Sequence, residues 1–184
     1  MKAYHVVTDR PMHAGQQIVF DDTHHSGVYQ RVHDKLDAVQ AIYASPDAYD
    51  ADSLEHHTSV ALRELALEEV RQQKYPMYPS RMSCLYVSET LEEAEKWGEF
   101  FARIGRPTYH IVLLDIKGRC FTGDATKCFR GQTNKQENLR LAEQYWENCP
   151  TKSGGRPVKE ILVDGQITVL EIVKEINTNI EPRS

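Results

Sequence analysis

The sequence predicts one α+β domain, and two observations support this class. Runs rich in β-branched and aromatic residues, with the length of strands, stand near both ends of the chain, at Met1–Thr8 and at Val158–Val173. Between these runs, apolar residues recur at helical spacing in several stretches. A chain of 184 residues is long enough to bury one core, so we expect a single domain over residues 1–184.

The first half of the chain alternates short strands with long helices. The first strand ends at the turn Asp9–Pro11, and Ile18–Phe20 is a second short strand. Apolar spacing predicts one amphipathic helix over Val28–Tyr43, then a loop over Pro46–Asp52 and a further helix over Val60–Lys74. This half therefore supplies the main helical layer.

A strand and a helix in the middle of the chain are marked by unusually clear signals. Prolines at 76 and 79 precede the apolar run Cys84–Val87, which predicts a buried strand. Ser88 or Thr90 then caps a helix, and Glu93 three residues after Thr90 completes a capping box. The apolar face of this helix consists of Leu91, Ala94, Trp97 and Phe101.

The second half is richer in strands. Two extended pieces, Pro107–Ile116 and Gly118–Gly123, precede a helix over Asn134–Asn148. A mobile loop is expected over Thr151–Pro157, since it is rich in glycine and polar residues. The Asp164–Gly165 dipeptide between two β-rich runs predicts a hairpin that pairs the last two strands.

Composition restricts the class of protein. The chain is 40% apolar and 27% charged, with a net charge of -5, which argues against a surface that coats nucleic acid. No run has the length of a membrane span, so no membrane partner is expected. The four cysteines are scattered, which predicts a cytoplasmic protein, with an effector delivered without a classical signal peptide as the alternative.

Four residues permit two interpretations each when only the residues are considered. Tyr86 and Trp97 are either core aromatics or two walls of one cleft. Arg81 either binds a diphosphate through its planar guanidinium or lies in a surface turn. Glu160 is either an outward-facing edge residue or a functional carboxylate.

The adjacent histidine pairs at 24–25 and 56–57 point in divergent directions, so no metal site is expected.

Leu85-Tyr86-Val87-Ser88, followed by Ala94 and Trp97, resembles a signature of the ADP-ribosyltransferase superfamily of the diphtheria-toxin and poly(ADP-ribose) polymerase type. In that family a strand tyrosine stacks on nicotinamide, and an aromatic on the next helix closes the other side. The resemblance implies these roles for Tyr86 and Trp97.

The other two signatures of this superfamily are also similar to segments of the chain. Tyr4-His5-Val6-Val7-Thr8 resembles the first, in which the histidine hydrogen-bonds the nicotinamide ribose and the next backbone unit holds the carboxamide. Here Val6 stands where glycine is frequent. Glu160 in Lys159–Val163 resembles the catalytic glutamate strand near the C-terminus. His5, Tyr86 and Glu160 thus follow the family's order.

The resemblance implies a split, mostly antiparallel sheet around an NAD cleft, with NAD as substrate and no metal. Glu160, His5 and Tyr86 are the implied catalytic residues. The implied NAD contacts are His5, Val6, Thr8, Arg81, Ser83, Tyr86, Ser88, Ala94 and Trp97. The expected activity is transfer of one ADP-ribose to a macromolecular acceptor, either protein or nucleic acid.

The acceptor and the activity itself leave alternatives open. Arginine-modifying relatives carry Glu or Gln two residues before the catalytic glutamate, where this chain has Val158. Lys159 and the basic loop 152–156 would instead approach an acidic or phosphate-bearing target. The rival interpretations are NAD hydrolysis at the same site, transfer chemistry like that of tRNA 2'-phosphotransferase, and a module that binds nucleotide without turnover. Glu160 argues against the second of these.

Overall fold

The fold is α+β with antiparallel sheets, as the sequence predicted. The computed structural model describes residues 1–8, 10–149 and 156–176. The strands in these ranges are β1 (Lys2–Val7), β2 (Gln17–Phe20), β3 (Leu85–Val87), β4 (His110–Lys117), β5 (Cys120–Asp124), β6 (Lys159–Val163) and β7 (Gly165–Glu175). The α-helices are α1 (Gly27–His33), α2 (Leu36–Ala44), α3 (His56–Lys74), α4 (Leu91–Arg103) and α5 (Lys135–Glu147).

The strands form two sheets rather than one. Sheet A has the order β1-β4-β7-β2 and sheet B the order β3-β6-β5, and every pairing is antiparallel. The apolar faces of the two sheets meet in one core, because alternating strand residues point to the same side. Its buried members from both sheets include Ala3, Val87, Val112, Leu114, Ile161, Val163, Ile167 and Val169.

Helices cover the outer faces of both sheets. On sheet A, α4 buries Ala94 against Val6 and Ile111. On sheet B, α3 and α5 bury Leu67 and Trp146 against the strands, and the Trp146 indole donates to Leu67 O (2.8 Å). The short helices α1 and α2 pack on the other side of α3. Helix α3 therefore buries two sides, one against sheet B and the other against α1 and α2.

The single helix predicted over Val28–Tyr43 is wrong, because the structure has α1 and α2 there. The helix breaks at Asp34 and Lys35, where Lys35 has φ -111° and ψ 4°. The Lys35 ammonium pairs with Glu55 (3.1 Å), the N-cap residue of α3. A turn of two residues keeps the apolar stripe nearly in phase, so the periodicity alone does not reveal the break.

The hairpin predicted at Asp164–Gly165 is also wrong. β6 belongs to sheet B and β7 to sheet A, so the chain crosses from one sheet to the other at this dipeptide. The Asp-Gly signal marks a turn and a positive φ, and Gly165 does have φ +83°. Which strands pair after the turn depends on the packing of the two sheets.

Several shorter predictions have mixed outcomes. The stretch Pro46–Asp52 contains two 3-10 turns, at Pro46–Ala48 and Ala51–Ser53. Most of the loop expected at Thr151–Pro157 lies outside the described residues, whereas Arg156 and Pro157 are described and exposed. None of the helices in the described ranges has the length and apolar character that a bilayer crossing requires.

Candidate active site

The two sheets are joined along one edge by β1 and β3. Tyr4 and Ser88 exchange two backbone hydrogen bonds of 2.8 Å each, which form an isolated antiparallel bridge. Beside this bridge lies a cavity of about 260 Å³. Its lining residues are Tyr4, His5, Val6, Thr8, Arg81, Tyr86, Val87, Ser88, Trp97, Phe101, Arg106, Glu160 and Ile161. The cavity combines aromatic walls with buried charged groups, which is typical of a small-molecule site.

His5, Tyr86 and Glu160 reach this cavity from three strands. His5 lies on β1, Tyr86 on β3 and Glu160 on β6. The strand alternation directs Val87 into the core and leaves Tyr86 37% exposed. His5 Nδ1 donates to Tyr86 O (2.8 Å), since a carbonyl oxygen only accepts, and in a neutral ring Nε2 is then the acceptor atom. This contact holds the β1 side chain against β3.

Arg81 is buried beside these residues. Its Nε donates to Glu64 Oε2 (3.0 Å), its Nη1 donates to Glu160 Oε1 (3.0 Å) and to Tyr145 Oη (2.7 Å), and its Nη2 contacts Cys128 Sγ (3.6 Å). The interpretation of Arg81 as a surface turn residue is wrong, because the side chain is only 7% exposed. Its donors are directed mainly at protein acceptors, which departs from a guanidinium held ready for a diphosphate.

The segment that carries Arg81 is fixed by polar groups on α3. Arg71 donates to Tyr78 O (3.0 Å), and Ser80 Oγ donates to Glu68 Oε2 (2.8 Å). Glu64, one helical turn before Glu68, then receives the Arg81 guanidinium. Because residues at spacing of three and four share a helix face, α3 presents one polar row along which residues 78–81 are bound.

Charges in this network compensate one another. Burial disfavours the charged form of Glu64, but the guanidinium groups of Arg81 and Arg63 outweigh it and lower the pKa of this carboxyl. Burial likewise disfavours the charged form of Arg81, and the surrounding groups, with Glu64 first, raise the pKa of the guanidinium well above its usual value. Arg63 contacts the second oxygen of Glu64 at 2.8 Å. Two arginines, 63 and 81, face two glutamates, 64 and 160, so the formal charges of the network sum to zero.

Glu64 and Tyr145 are site residues that the sequence reasoning missed. The sequence places Tyr145 on the buried side of α5, and a buried tyrosine hydroxyl generally requires a hydrogen-bond partner. Glu64 interrupts the buried side of α3 between Ala61 and Leu67. A carboxylate in such a stripe is a signal for a buried cation, since an unpaired buried charge is costly. Neither pattern identifies the partner, which comes from a distant part of the chain.

Helix α4 contributes an aromatic wall to the cavity. Trp97 and Phe101 both line it, and their rings stack with centroids 5.8 Å apart. The N-cap predicted at Thr90 is confirmed, because Thr90 Oγ1 accepts from Glu93 N (3.2 Å). Ala94, which was predicted to contact the ligand, is fully buried under this wall against Val6. Its small side chain lets α4 approach β1 closely.

The remaining predicted contacts divide into two groups. Val6, Thr8 and Ser88 line the cavity. Ser83 lies elsewhere, in a separate groove of about 630 Å³ where its hydroxyl contacts His25 Nδ1 (2.7 Å). That groove is larger, but His5, Tyr86 and Glu160 are not among its lining residues. We therefore take the smaller cavity as the candidate active site.

A second hollow of about 560 Å³ adjoins the cavity and shares Val87, Ser88 and Trp97 with it. Val158 lines this hollow and is 43% exposed. Lys159, expected to approach an acidic target, instead pairs with Glu89 (2.7 Å) and Glu93 (2.9 Å) of the α4 N-terminal region. The side chain thus holds β6 to α4, and the rest of the basic loop, 152–155, lies outside the described residues.

Metal ligation has no candidate in the described part of the chain, where no group of three or more His, Cys, Asp or Glu side chains is placed to hold an ion. The cysteine beside the site, Cys128, is a thiol whose pKa is raised by burial, with Arg81 acting in the opposite direction. The cavity thus offers a carboxylate, an imidazole, two guanidinium groups and aromatic faces.

The fold and site together define an α+β protein of two antiparallel sheets with a polar, aromatic cavity at their joined edge. A family model described as a protein of unknown function, DUF2441, matches residues 3–175. The chain belongs to this DUF2441 family. The matched range includes His5, Tyr86 and Glu160. A search of curated proteins finds no match to the sequence.

Proposed function

We propose that the protein cleaves the nicotinamide–ribose bond of NAD and transfers the ADP-ribose to a macromolecular acceptor. The observation that carries this proposal is the convergence of His5, Tyr86 and Glu160, from three strands, on one cavity of about 260 Å³. Their order along the chain is that of the ADP-ribosyltransferase signatures that they resemble. The cavity suits the nicotinamide ribose, and the adjoining hollow gives room beside it.

The residue types suit the chemistry of this cleavage. When the bond between ribose C1' and the nicotinamide nitrogen breaks, the electron pair leaves with nicotinamide and positive charge develops on the ribose. The Glu160 carboxylate, held at the cavity wall with a side chain 10% exposed, would stabilise that charge in a site with little water. The acceptor then bonds to C1' and loses a proton, so the step balances without an oxidant or a reductant.

The other residues would bind and orient the substrate. Tyr86, whose ring is accessible from the cavity, would stack on nicotinamide, and Trp97 would close the opposite side. His5, whose Nδ1 donates to Tyr86 O, would hold the ribose. Val6 in place of a frequent glycine puts a branched side chain near the expected carboxamide contact, and this side chain is buried toward α4.

Nicotinamide release from NAD tests the proposal. The wild-type protein should bind NAD in calorimetry and release nicotinamide, and Glu160→Gln should lower kcat by about 100-fold or more while changing NAD affinity little, because the carboxylate acts mainly in the transition state. Glu171→Gln is the matched control, since Glu171 is an exposed glutamate on β7 outside the cavity. Full activity of Glu160→Gln would rule out the assigned role.

The acceptor arms of the same assay separate the alternatives. NAD labelled in the adenylate half is offered with protein, DNA and RNA separately, and the label on each is counted. Label on one class identifies the acceptor. Free ADP-ribose without labelled macromolecule indicates an NAD hydrolase, and NAD binding without nicotinamide release indicates a binding module.

A further inference from the structure

The buried hydroxyl of Tyr145 lies between Arg81 and Glu160 and contacts both side chains. Tyr145 lies on α5 and is fully buried. Its Oη accepts from Arg81 Nη1 (2.7 Å) and donates to Glu160 Oε1 (2.6 Å). The direction of both bonds is set by the partners, because a guanidinium only donates and a carboxylate only accepts.

Arg81 is itself held in one orientation. The guanidinium is planar, so fixing Nε on Glu64 Oε2 at 3.0 Å also fixes the direction of Nη1 toward Tyr145 and Glu160. The rings of Tyr145 and Tyr86 lie 5.0 and 5.5 Å from Arg81 Cζ, in the range of cation–π contacts. The donor group that faces Glu160 therefore has little freedom to rotate.

Both of these donors contact the same oxygen of Glu160. Oε1 receives Arg81 Nη1 and Tyr145 Oη, whereas Oε2 accepts no hydrogen bond from the residues that the structure describes. One oxygen is thus fixed by the protein and the other remains for a ligand in the cavity. Arg81 also pairs with Glu64, and the second donor to Oε1 is the neutral Tyr145 hydroxyl, which orients the carboxylate without adding another positive charge.

We propose that Tyr145 is a positioning residue for Glu160, which it holds together with Arg81 so that Oε2 faces the ribose of the substrate. This inference rests on the proposed NAD cleavage and adds Tyr145, a buried residue that does not line the cavity. Positioning of this kind contributes strongly to rate, since small displacements of a reacting group cost up to about 100-fold.

Tyr145→Phe tests the inference, because it removes the hydroxyl and keeps the ring that packs on Phe121 and Trp146. We expect kcat for nicotinamide release to fall by about 10- to 100-fold, with KM for NAD changed by less than about threefold. Rates are expressed per folded molecule, with the folded fraction taken from thermal unfolding. A residue with only a structural role would lower the folded fraction and leave kcat per folded molecule unchanged.

Tyr43→Phe is the matched control. The Tyr43 hydroxyl also has a protein hydrogen bond, from Asn138 Nδ2 (2.9 Å), but it lies outside the cavity. Its kcat should equal that of the wild type. Arg81→Lys gives a second arm that does not depend on Tyr145→Phe being well folded: the charge remains, but one ammonium cannot span Glu64, Tyr145 and Glu160, so kcat should again fall more than KM changes.

The outcomes separate this inference from the function on which it rests. A wild-type protein that releases no nicotinamide would overturn the proposed function and the inference with it. An active wild type with unchanged kcat in Tyr145→Phe, or with a change confined to KM, would overturn the inference alone. A loss of kcat of equal size in Tyr43→Phe would show a general packing effect and would also overturn it.

Discussion

At the scale of single residues, the site is a chain of charges that links helix α3 to strand β6. Glu64 binds Arg81, and Arg81 binds Glu160 directly and through Tyr145. Breaking a buried pair by removing one partner leaves the other charge unsatisfied, which costs far more than losing a surface pair. The stability of the protein and the orientation of its candidate catalytic carboxylate therefore depend on the same network.

Glu64→Gln is expected to lower the free energy of unfolding at pH 7 by about 3 kcal/mol, as for other broken buried pairs. Urea unfolding measures this change. Glu69→Gln on the same helix is the control, since Glu69 pairs with Lys135 at 3.1 Å on the surface and should cost less than about 1 kcal/mol. Equal losses in the two variants would contradict the buried network.

The same pair should make stability depend on pH. The Arg81 and Arg63 guanidinium groups lower the pKa of Glu64 in the folded protein against the opposing effect of burial, so its ionised form stabilises the fold above the unfolded pKa of about 4.3. This contribution is lost as the pH falls through the lower folded pKa. The difference in unfolding free energy between wild type and Glu64→Gln should shrink below about pH 4.3, and a constant difference would contradict the assignment.

At this scale the resemblance to the ADP-ribosyltransferase signatures selected His5, Tyr86, Trp97 and Glu160 as candidates. The local patterns alone leave Tyr86, Trp97 and Glu160 with two interpretations each. The burial of Tyr145 was predicted as well. Its partners were not, since Arg81 is 64 residues away in the chain and Glu160 lies on another element. Local patterns encode which side chains are buried, and long-range pairing decides what they contact.

At the scale of elements, α4 forms the aromatic wall of the cavity, and its start was well determined by sequence. Thr90 and Glu93 lie at the spacing of a capping box, and the apolar stripe places Ala94 and Trp97 on one face. In the structure the Glu93 carboxylate accepts from Glu89 N (3.2 Å), one residue before the N-cap. The helix therefore begins where local hydrogen bonds dictate.

Thr90→Ala should lower the free energy of unfolding by about 1 kcal/mol, because the N-cap acceptor for Glu93 N is lost. Thermal or urea unfolding checks this value. Thr90→Ser retains the hydroxyl and should stay within a few tenths of a kcal/mol of the wild type. Should the serine variant lose as much as the alanine variant, the methyl group of Thr90 rather than its capping bond would be responsible.

At the scale of the whole molecule, two connections cross between the sheets at one corner. The chain passes from β4 to β5 at Gly118 and from β6 to β7 at Gly165. A Cβ on Gly118 would lie 2.0 Å from Asp164 O, and one on Gly165 would lie 2.3 Å from Lys117 O. The Asp164 carboxylate accepts from Arg119 N (2.8 Å) and binds the corner together. Only glycine lets the two crossings approach this closely.

Gly165→Ala should therefore destabilise the fold by about 2 kcal/mol more than Gly15→Ala, as measured by urea unfolding. Both glycines have positive φ, +83° and +82°, so the backbone strain of an alanine, about 1 kcal/mol, is common to the two variants. Only Gly165 is crowded by backbone, since nothing lies within 4 Å of a Cβ on Gly15. Similar losses of unfolding free energy in the two variants would mean that the backbone around Gly165 shifts to admit a Cβ at no cost in stability.

The sequence by itself determined the local features: the α+β class, most helices and strands, the cap of α4, and the order of the candidate site residues along the chain. The elements and the cap follow from periodicity, capping and turn chemistry, which act over a few residues, whereas the order of the site residues was noticed through a resemblance to the ADP-ribosyltransferase signatures. Only the tertiary structure decided that β6 and β7 belong to different sheets, that Val28–Tyr43 breaks into two helices, and that Arg81 binds Glu64 and Glu160. The physical reason is that a sequence pattern states which face is buried, whereas the partner on that face is chosen by the packing of the whole chain.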